Sequence, residues 1–555
     1  MQVSSGQRWR LEPGYFSRWS SLSAAVVVNI FAVYAYGLFS DTLKETLGFS
    51  QSSVDMIASI GEAGQWSTFI VGLILERKSS RQVYAIGSVA SGVGLGYVSL
   101  AIGKIVPTNP ALMGAFFYLA NFGSACFAQT ATSTVLRNFP ATDRGKVAGM
   151  MKSIFGLSSA VLSVLYAGLF NASDVGKFLL LLSVGVPLLG AISSIPLNVV
   201  PTKHLSYATE RFQRVEPRMK PFYNWFAAVV LFLIAAVSPL PFALPVPWTG
   251  IFLAVLVLSV CALPYCYGCI YIRLATLGVS RENSSDCYGG EADTRSVSDV
   301  GQGMACELAM DEDYLFGRET RPLLGTADVA ELSRRSLTWK QCLRDIRFWA
   351  LFLSFLCGAG SGLVVINNVA SLADSLEMAS GSLLVSIIGI SNALGRISVG
   401  WISDRIVVAG LPRSLLYCAM LLTTCGVDFL LAAGIPALLY PLCVGAGVCY
   451  GSMFALVLAL AADLFGPDHL GTNYGLLDLE GPAVGSFVYA TGVVSLFYRD
   501  NSMDNHGGTP GNCIGPSCFG GTFLVTAVSC LGACILVYIV LVRPTFNARL
   551  RRAEL

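Results

Sequence analysis

The chain has 555 residues, of which 54% are hydrophobic and only 13% are charged. Soluble domains carry about 25% charged residues, and a single water-soluble core stops growing near 250–300 residues. A soluble enzyme, a disordered chain and a secreted disulfide scaffold are therefore excluded, and the formal net charge of +2 gives no electrostatic basis for binding nucleic acid. This composition indicates a polytopic membrane protein embedded in a lipid bilayer.

Apolar segments of about 20 residues, the length that a helix needs to cross a bilayer, occur about fourteen times. Six lie in residues 1–200, two in residues 201–275 and six in residues 347–543. The predicted spans are 19–40, 54–75, 83–103, 111–135, 146–169, 178–199, 222–242, 249–273, 347–371, 382–402, 413–433, 437–462, 472–496 and 522–542. Lys and Arg concentrate in alternate loops, which places both termini, including the tail 544–555, in the cytosol. The predicted fold is an all-α membrane protein with two six-helix bundles and two extra central helices.

The segment 276–346 between the bundles is rich in charged residues, Ser and Gly, which is typical of a disordered cytosolic linker. Within it, Glu319 precedes Leu323 and Leu324 with the spacing of an acidic-dileucine sorting signal. Two interpretations stay open. The sequence is either a signal for an endolysosomal or vacuolar membrane, or a plain linker in a plasma-membrane protein.

Cys513 and Cys518 lie in a predicted outer loop rich in Gly and Asn. An oxidising exterior favours a small disulfide between them, and two unpaired thiols are the alternative. The sixteen Cys residues are otherwise spread through apolar segments without the CxxC…CxxC spacing of a metal site, so neither a metal nor a cofactor is expected.

A hexad, Gly-x-x-x-acid-Arg, occurs at the predicted cytosolic end of the second span of each six-span block. The first hexad is Gly72-Leu-Ile-Leu-Glu76-Arg77, followed by Arg81, and the second is Gly400-Trp-Ile-Ser-Asp404-Arg405. Glycine allows a neighbouring helix to approach closely, while the carboxylate is suited to cap a helix N-terminus or to pair with Arg. We therefore expect each hexad to form a latch between helices. The alternative is that each hexad carries only a pair of solvated charges. This explains why an acid and an arginine are present, but not why their spacing is repeated.

The duplicated hexad resembles the inner-loop signature of the major facilitator superfamily, and the chain is similar to its nodulin-like group. The residues that carry the second resemblance are Arg18-Trp19, Gly48-Phe-Ser-Gln51, Arg137-Asn-Phe-Pro140, Arg144-Gly145, Gly149, Lys152, Gly156-Leu-Ser158, Asp463-Leu-Phe-Gly466, His469, Gly471, Asn473-Tyr474, Gly481-Pro482 and Gly485-Ser486. The resemblance implies a transporter that works by alternating access. It does not identify the solute.

Polar side chains within spans are costly, so each one needs a reason. In the superfamily the central cavity is lined by spans one, four, seven and ten of the twelve, with help from spans two, five, eight and eleven. The candidates for that cavity are Asn29, Tyr36, Gln65, Asn121, Gln129, Lys152, Asn367, Asn392 and Arg396. For each amide, hydrogen bonding between packed helices is the alternative role.

Four charged residues are candidates for coupling or gating: Glu62, Lys152, Asp478 and Glu480. Lys152 and the pair Asp478 and Glu480 lie on equivalent spans, each about a third of the way in from the cytosolic side. One prediction is that they form an ion pair that closes an inner gate. The other is that Lys152 attracts an anionic solute while a carboxylate carries a proton. Snorkelling to the membrane interface is the third interpretation.

Arg396 invites comparison with the monocarboxylate transporters of the same superfamily, which have an acid and an Arg four residues apart on the equivalent span, followed by Gly. Here Asn392, Arg396 and Gly400 match that spacing. A guanidinium binds both oxygens of a carboxylate, but Asn392 replaces the acid, and an amide cannot carry a proton. Arg396 alternatively serves only the cytosolic latch.

The leading hypothesis is a monomeric secondary transporter of a small solute, with a pyruvate-like monocarboxylate as the best candidate. No Walker A motif indicates ATP-driven transport. Iron efflux is an alternative, which the presence of only three His disfavours. A receptor or scaffold that signals through segment 276–346 is an alternative of another class. An enzyme is not expected, because the loops lack paired carboxylates and nucleophile–base constellations.

Overall fold

The computed structural model describes residues 13–30, 36, 39–170, 174–197, 199, 336–378, 381–479, 484–497 and 514–547. The predicted spans 222–242 and 249–273 lie outside these residues, as do the sorting sequence with Glu319, Leu323 and Leu324, and also Glu480 and Cys513. Below, the first half means the described residues up to 199, and the second half means those from 336 onward.

All regular structure in the described residues is helical. The first half contains α1 Pro13–Ile30, α2 Ser40–Leu47, α3 Gln51–Gln65, α4 Thr68–Arg77, α5 Ser80–Ile102, α6 Pro110–Arg137, α7 Arg144–Phe170 and α8 Val175–Ser194. The second half contains α9 Trp339–Cys342, α10 Ile346–Ser375, α11 Gly381–Val408, α12 Arg413–Ala432, α13 Leu439–Phe465, α14 Leu470–Leu479 and α15 Ser517–Val537, with π-helical turns at Ser486–Val493 and Tyr538–Val542. Eight helices in the described residues are long and apolar enough to cross a membrane.

Small residues allow the helices within each half to pack backbone against backbone. A Cβ atom added at Gly94 of α5 would lie 2.5 Å from the backbone N of Ala120 in α6. In the second half, a Cβ atom at Gly447 of α13 would lie 2.7 Å from the carbonyl oxygen of Ile388 in α11. Such close approach is the usual basis of helix association in membranes, where burial of apolar surface provides no driving force.

Two segments differ from the sequence-based prediction. The predicted span 54–75 is two helices, because the chain turns at Trp66 and Ser67 between α3 and α4. The disordered linker was predicted to extend to residue 346, yet residues 336–345 are ordered and contain α9. This helix begins with a capping box, in which Gln341 Oε1 accepts from the backbone N of Thr338 at 2.9 Å, and Cys342 is fully buried. The prediction missed this short helix because it was based on the charged composition of the whole linker and not on the local capping box.

Candidate functional site

The ends of the helices that are predicted to face the cytosol hold the two halves together. The hydrogen bonds and ion pairs that join the halves there connect α4, α6, α7 and the loop before α7 with α11, α12, α13, α14 and the loop between α13 and α14. We call this region the inner contact. Both hexads are part of it.

Asp404 of the second hexad caps a helix in the opposite half. Its two carboxylate oxygens accept from the backbone N–H groups of Gly145 and Lys146, each at 2.9 Å, at the N-terminus of α7. The side chain is only 1% exposed and also pairs with the Arg413 guanidinium. Gly400 makes this approach available, because a Cβ atom there would lie 2.6 Å from the carbonyl oxygen of Gly145. The carboxylate thus caps a helix N-terminus and pairs with an arginine at the same time.

A network of buried charges surrounds this carboxylate. Arg413, at the start of α12, bonds Asp404 and Asp463 within its own half, and it donates to the carbonyl oxygen of Ala141 in the first half at 2.6 Å. Arg144 of the first half donates to the other oxygen of Asp463 at 3.2 Å. Sequence reasoning did not assign Arg413 or Asp463 to the site, since each follows or precedes a loop like many other charges. No local spacing in the sequence distinguishes them from the other charges near loops.

Glu76 of the first hexad occupies the corresponding place against α14. Its Oε1 accepts from the Thr472 hydroxyl at 2.6 Å and lies 3.1 Å from Nδ1 of His469. Gly72 packs on the backbone of the opposite half, because a Cβ atom there would lie 2.5 Å from the carbonyl oxygen of Gly471. The geometry of the second hexad is therefore repeated, but Glu76 is 28% exposed and contacts side chains instead of backbone N–H groups.

The arginines of the hexads lie elsewhere than expected. Arg405 is exposed, with its guanidinium 5.2 Å from the ring centroid of Trp401 on its own helix, so Arg413 and not Arg405 is the arginine at Asp404. Arg77 is also exposed, and Arg81 donates to the carbonyl oxygen of Ile195 within the first half at 3.1 Å. Adjacent residues in a helix point about 100° apart, which is why Asp404 and Arg405 cannot both face α7.

Lys152 and Asp478 meet between the two halves. Lys152 is eight residues into α7 and Asp478 is eight residues into α14, which places each about 12 Å beyond the start of its helix. Lys152 Nζ lies 3.7 Å from Asp478 Oδ1, and that oxygen also accepts from the Tyr474 hydroxyl at 2.7 Å. The ammonium group lies 4.6 Å from the Tyr474 ring centroid. The two side chains are 13% and 16% exposed, so the pair is not sealed within protein.

Arg396 approaches Lys152 from the second half. Its Nε donates to Asn392 Oδ1 at 2.9 Å, and its Nη1 donates to the backbone carbonyl oxygen of Lys152. The guanidinium carbon lies 5.2 Å from the ring centroid of Phe454, and Gly156 leaves room for it, since a Cβ atom there would lie 2.9 Å from Nη1. Arg396 and Lys152 thus form one cationic cluster, with Asp478 beside it.

The other predicted cavity residues divide into two groups. Gln129 bridges the halves, because its Nε2 donates to the carbonyl oxygen of Gly471 at 2.5 Å. Among the remaining residues, Asn29 donates to the carbonyl oxygen of Ala25 at 2.7 Å and Tyr36 donates to that of Val54 at 2.5 Å, both within the first half. Asn121 is buried, the buried Oε1 of Gln65 has no partner in the described residues, and Glu62 and Asn367 are exposed. Cys518 is disulfide-bonded, and because Cys513 lies outside the described residues, their pairing stays a prediction.

Asp428 of α12 is a buried carboxyl that sequence reasoning did not select. It is 1% exposed, it accepts from the Ser361 hydroxyl of α10 at 2.5 Å, and Thr526 of α15 is a second hydroxyl neighbour. An acidic residue within the apolar predicted span 413–433 was the signal for it.

Comparisons with known proteins agree with this architecture. A model of the nodulin-like family matches residues 18–266, and a model of the NFD4 C-terminal domain matches residues 335–548. The protein NUCLEAR FUSION DEFECTIVE 4 of Arabidopsis thaliana is 25% identical over 92% of this chain and 86% of its own length. The uncharacterized MFS-type transporter YhjX of Escherichia coli is 27% identical over 27% of this chain and 38% of its own length.

Among solved structures, a bacterial homologue of the iron transporter ferroportin, in an outward-facing state, aligns with a TM-score of 0.50 and 10% identity, covering 94% of this chain and 98% of that one. This likeness shows a shared fold. Together, the two family models and the relatives support a nodulin-like transporter of the major facilitator superfamily.

Proposed function

We propose that this protein is a secondary transporter that moves a small organic anion, best a monocarboxylate, by alternating access between two six-helix bundles. The complete fold in this proposal has fourteen spans, with both termini in the cytosol. The inner contact then corresponds to a state that is closed on the cytosolic side.

The observation that carries the proposal is the cationic cluster between the halves. Lys152 pairs with Asp478, and Arg396 donates to the backbone carbonyl oxygen of Lys152, so an ammonium group and a guanidinium group from opposite halves lie close together. The two groups suit a carboxylate ligand, because the guanidinium binds in a two-pronged manner and the ammonium acts as a mobile point charge.

The same cluster explains how binding would be linked to movement. Lys152 belongs to the first half, whereas Arg396 and Asp478 belong to the second. A solute that replaces Asp478 at Lys152 breaks a contact between the two halves. A ligand shifts a conformational equilibrium by the difference between its affinities for the two states, so a solute that binds the opened contact more tightly would favour opening. In this proposal the Lys152–Asp478 pair therefore serves both as the inner gate and as part of the solute-binding site.

Asp478 is also the proposed proton carrier. It accepts from Tyr474 and faces Lys152, which places a carboxyl group at the contact that an incoming solute would replace. Asn392, which cannot titrate, then serves to hold Arg396. The membrane is either the plasma membrane or, if the sequence at Glu319 acts as a sorting signal, an endolysosomal or vacuolar membrane.

The test is uptake of radiolabelled solutes by proteoliposomes that contain the full chain. We expect uptake of pyruvate or lactate, loss of at least about tenfold in Lys152→Met, and a raised KM in Arg396→Lys, since a point charge loses the two-pronged geometry. Lys177→Met and Arg405→Lys are the matched controls, because both side chains are exposed outside the cluster. Uptake of neutral sugars in preference to carboxylates would overturn the proposal, and flux of no solute would favour a receptor or scaffold.

A further inference from the structure

The end of the linker crosses the inner contact. Residues 336–342, which we call the strap, touch both halves of the molecule. The backbone N of Leu337 donates to the carbonyl oxygen of Phe465 at 2.8 Å, and Asn473 Nδ2 donates to the carbonyl oxygen of Leu337 at 2.8 Å. On the other side, the Trp339 ring packs edge-on against Phe69 of α4, with ring centroids 5.7 Å apart. The strap therefore braces α4 against α14.

Ser336 connects the strap to an ion pair between the halves. Its hydroxyl donates to Asp468 Oδ2 at 2.9 Å and accepts from the Asp468 backbone N at 3.2 Å. Arg137, at the end of α6 in the first half, donates to Asp468 Oδ1 at 3.2 Å and to its carbonyl oxygen at 2.8 Å. A change at Ser336 would thus directly affect the contact between Asp468 and Arg137, which joins the two halves.

The Ser336 side chain packs closely against Gly466 on one side. A Cβ atom added at Gly466 would lie 2.5 Å from Ser336 Oγ and 2.6 Å from its Cα, and Gly466 has a φ of +82°, which side chains rarely adopt. A phosphoryl group on Oγ would meet this backbone on one side and the Asp468 carboxylate on another. Both steric overlap and charge repulsion would expel it.

The sequence before Ser336 is basic, which is the feature that basophilic protein kinases recognise. Two arginines, Arg334 and Arg335, immediately precede the serine, and Ser336 is half-buried on the side predicted to face the cytosol. A serine after basic residues at the end of a long charged segment is chemically suited to such an enzyme. Nothing in the proposed transport cycle uses this hydroxyl, so it is available for regulation.

We propose that Ser336 is a regulatory phosphorylation site whose modification releases the strap and favours opening of the inner contact. In the modification, the Ser336 hydroxyl attacks the γ-phosphorus of ATP, an O–P bond forms at Oγ, the bond to the β-phosphate oxygen breaks, ADP leaves and the hydroxyl proton passes to the base of the kinase. The phosphoserine repels Asp468 and cannot sit against Gly466. The strap then detaches with Leu337 and Trp339. This inference rests on alternating access as proposed above.

The experiment uses the full chain in lipid nanodiscs, treated with a basophilic kinase and magnesium ATP. Mass spectrometry locates the phosphate, and hydrogen–deuterium exchange follows residues 336–342 and the start of α14. We expect phosphate at Ser336 and exchange that rises by about tenfold or more in both segments, because local opening controls amide exchange. Ser336→Ala should show no such rise under the same treatment.

Two further variants separate sterics from charge. Gly466→Ala should raise exchange in the strap without any kinase, and Asp468→Asn should weaken the response to phosphorylation. Absence of phosphate at Ser336, or phosphate there with unchanged exchange, would overturn the inference. Neither readout requires a solute, so failure of the proposed transport activity would be seen separately.

Discussion

The two hexads place the same residue types in the same fold positions, but in different surroundings. Asp404 is 1% exposed and is held by two backbone N–H groups and by Arg413, whereas Glu76 is 28% exposed and is held by the Thr472 hydroxyl and by His469. Each glycine packs on the backbone of the opposite half, Gly400 on Gly145 and Gly72 on Gly471. The spacing of the hexad determines where the carboxylate lies, and its burial determines how much its contacts stabilise the inner contact.

This difference implies an order of opening. A buried carboxylate that loses its partners is left with an unpaired charge in a low-dielectric region, which is strongly unfavourable. A partly exposed carboxylate recovers hydration when its partners leave, so its contacts contribute little. We therefore expect the contact of α4 with α14 to separate more easily than the contact of α11 with α7.

The largest effect is expected for Asp404→Asn. The amide keeps the shape of the side chain but removes the charge that faces Arg413 and the N-terminus of α7. Breaking a buried pair costs about 3–5 kcal/mol, and because Arg413 retains Asp463, we expect the lower limit of about 3 kcal/mol. That corresponds to a shift on the order of 100-fold toward the opened state.

The measurement is hydrogen–deuterium exchange at the amides of Gly145 and Lys146, which donate directly to Asp404. The matched control is Arg405→Gln at the next position, where the side chain is exposed over Trp401 and outside the interface. Equal exchange in the two variants would show that the Asp404 carboxylate does not hold α7.

A smaller effect is expected for Gly400→Ala. The new Cβ atom would lie 2.6 Å from the carbonyl oxygen of Gly145, so α11 and α7 must separate by several tenths of an ångström, at a cost of about 1–3 kcal/mol. Gly389→Ala on the same helix is the control, because a Cβ atom there meets nothing within 4 Å. Thermal unfolding in detergent should show a lower Tm for the first variant and an unchanged or higher Tm for the second. The reverse order would contradict the close-packing argument.

Several parts of this site could be predicted from the sequence because they depend on local spacing. The hexads and the placement of Lys152 and Asp478 at equivalent depths follow from helix geometry and duplication. Arg413 could not be predicted, since its partners lie 9 and 50 positions away and only tertiary packing brings them together. The same holds for the strap, whose order depends on Phe69, Phe465 and Asn473. The two extra central spans lie outside the described residues and stay a prediction.

The smallest effect is expected for Glu76→Gln, and it tests the comparison most directly. Glutamine keeps an oxygen that accepts from the Thr472 hydroxyl, so only the negative charge beside Nδ1 of His469 is lost, and both of these side chains are partly exposed. Partly exposed pairs contribute about 0–1 kcal/mol, so exchange at the start of α14 should rise less than about fivefold. Glu76→Ala, which also removes the acceptor, should have the larger effect. If Glu76→Gln opened the inner contact as strongly as Asp404→Asn, burial would not be the property that distinguishes the two hexads, and their shared spacing would have to account for both.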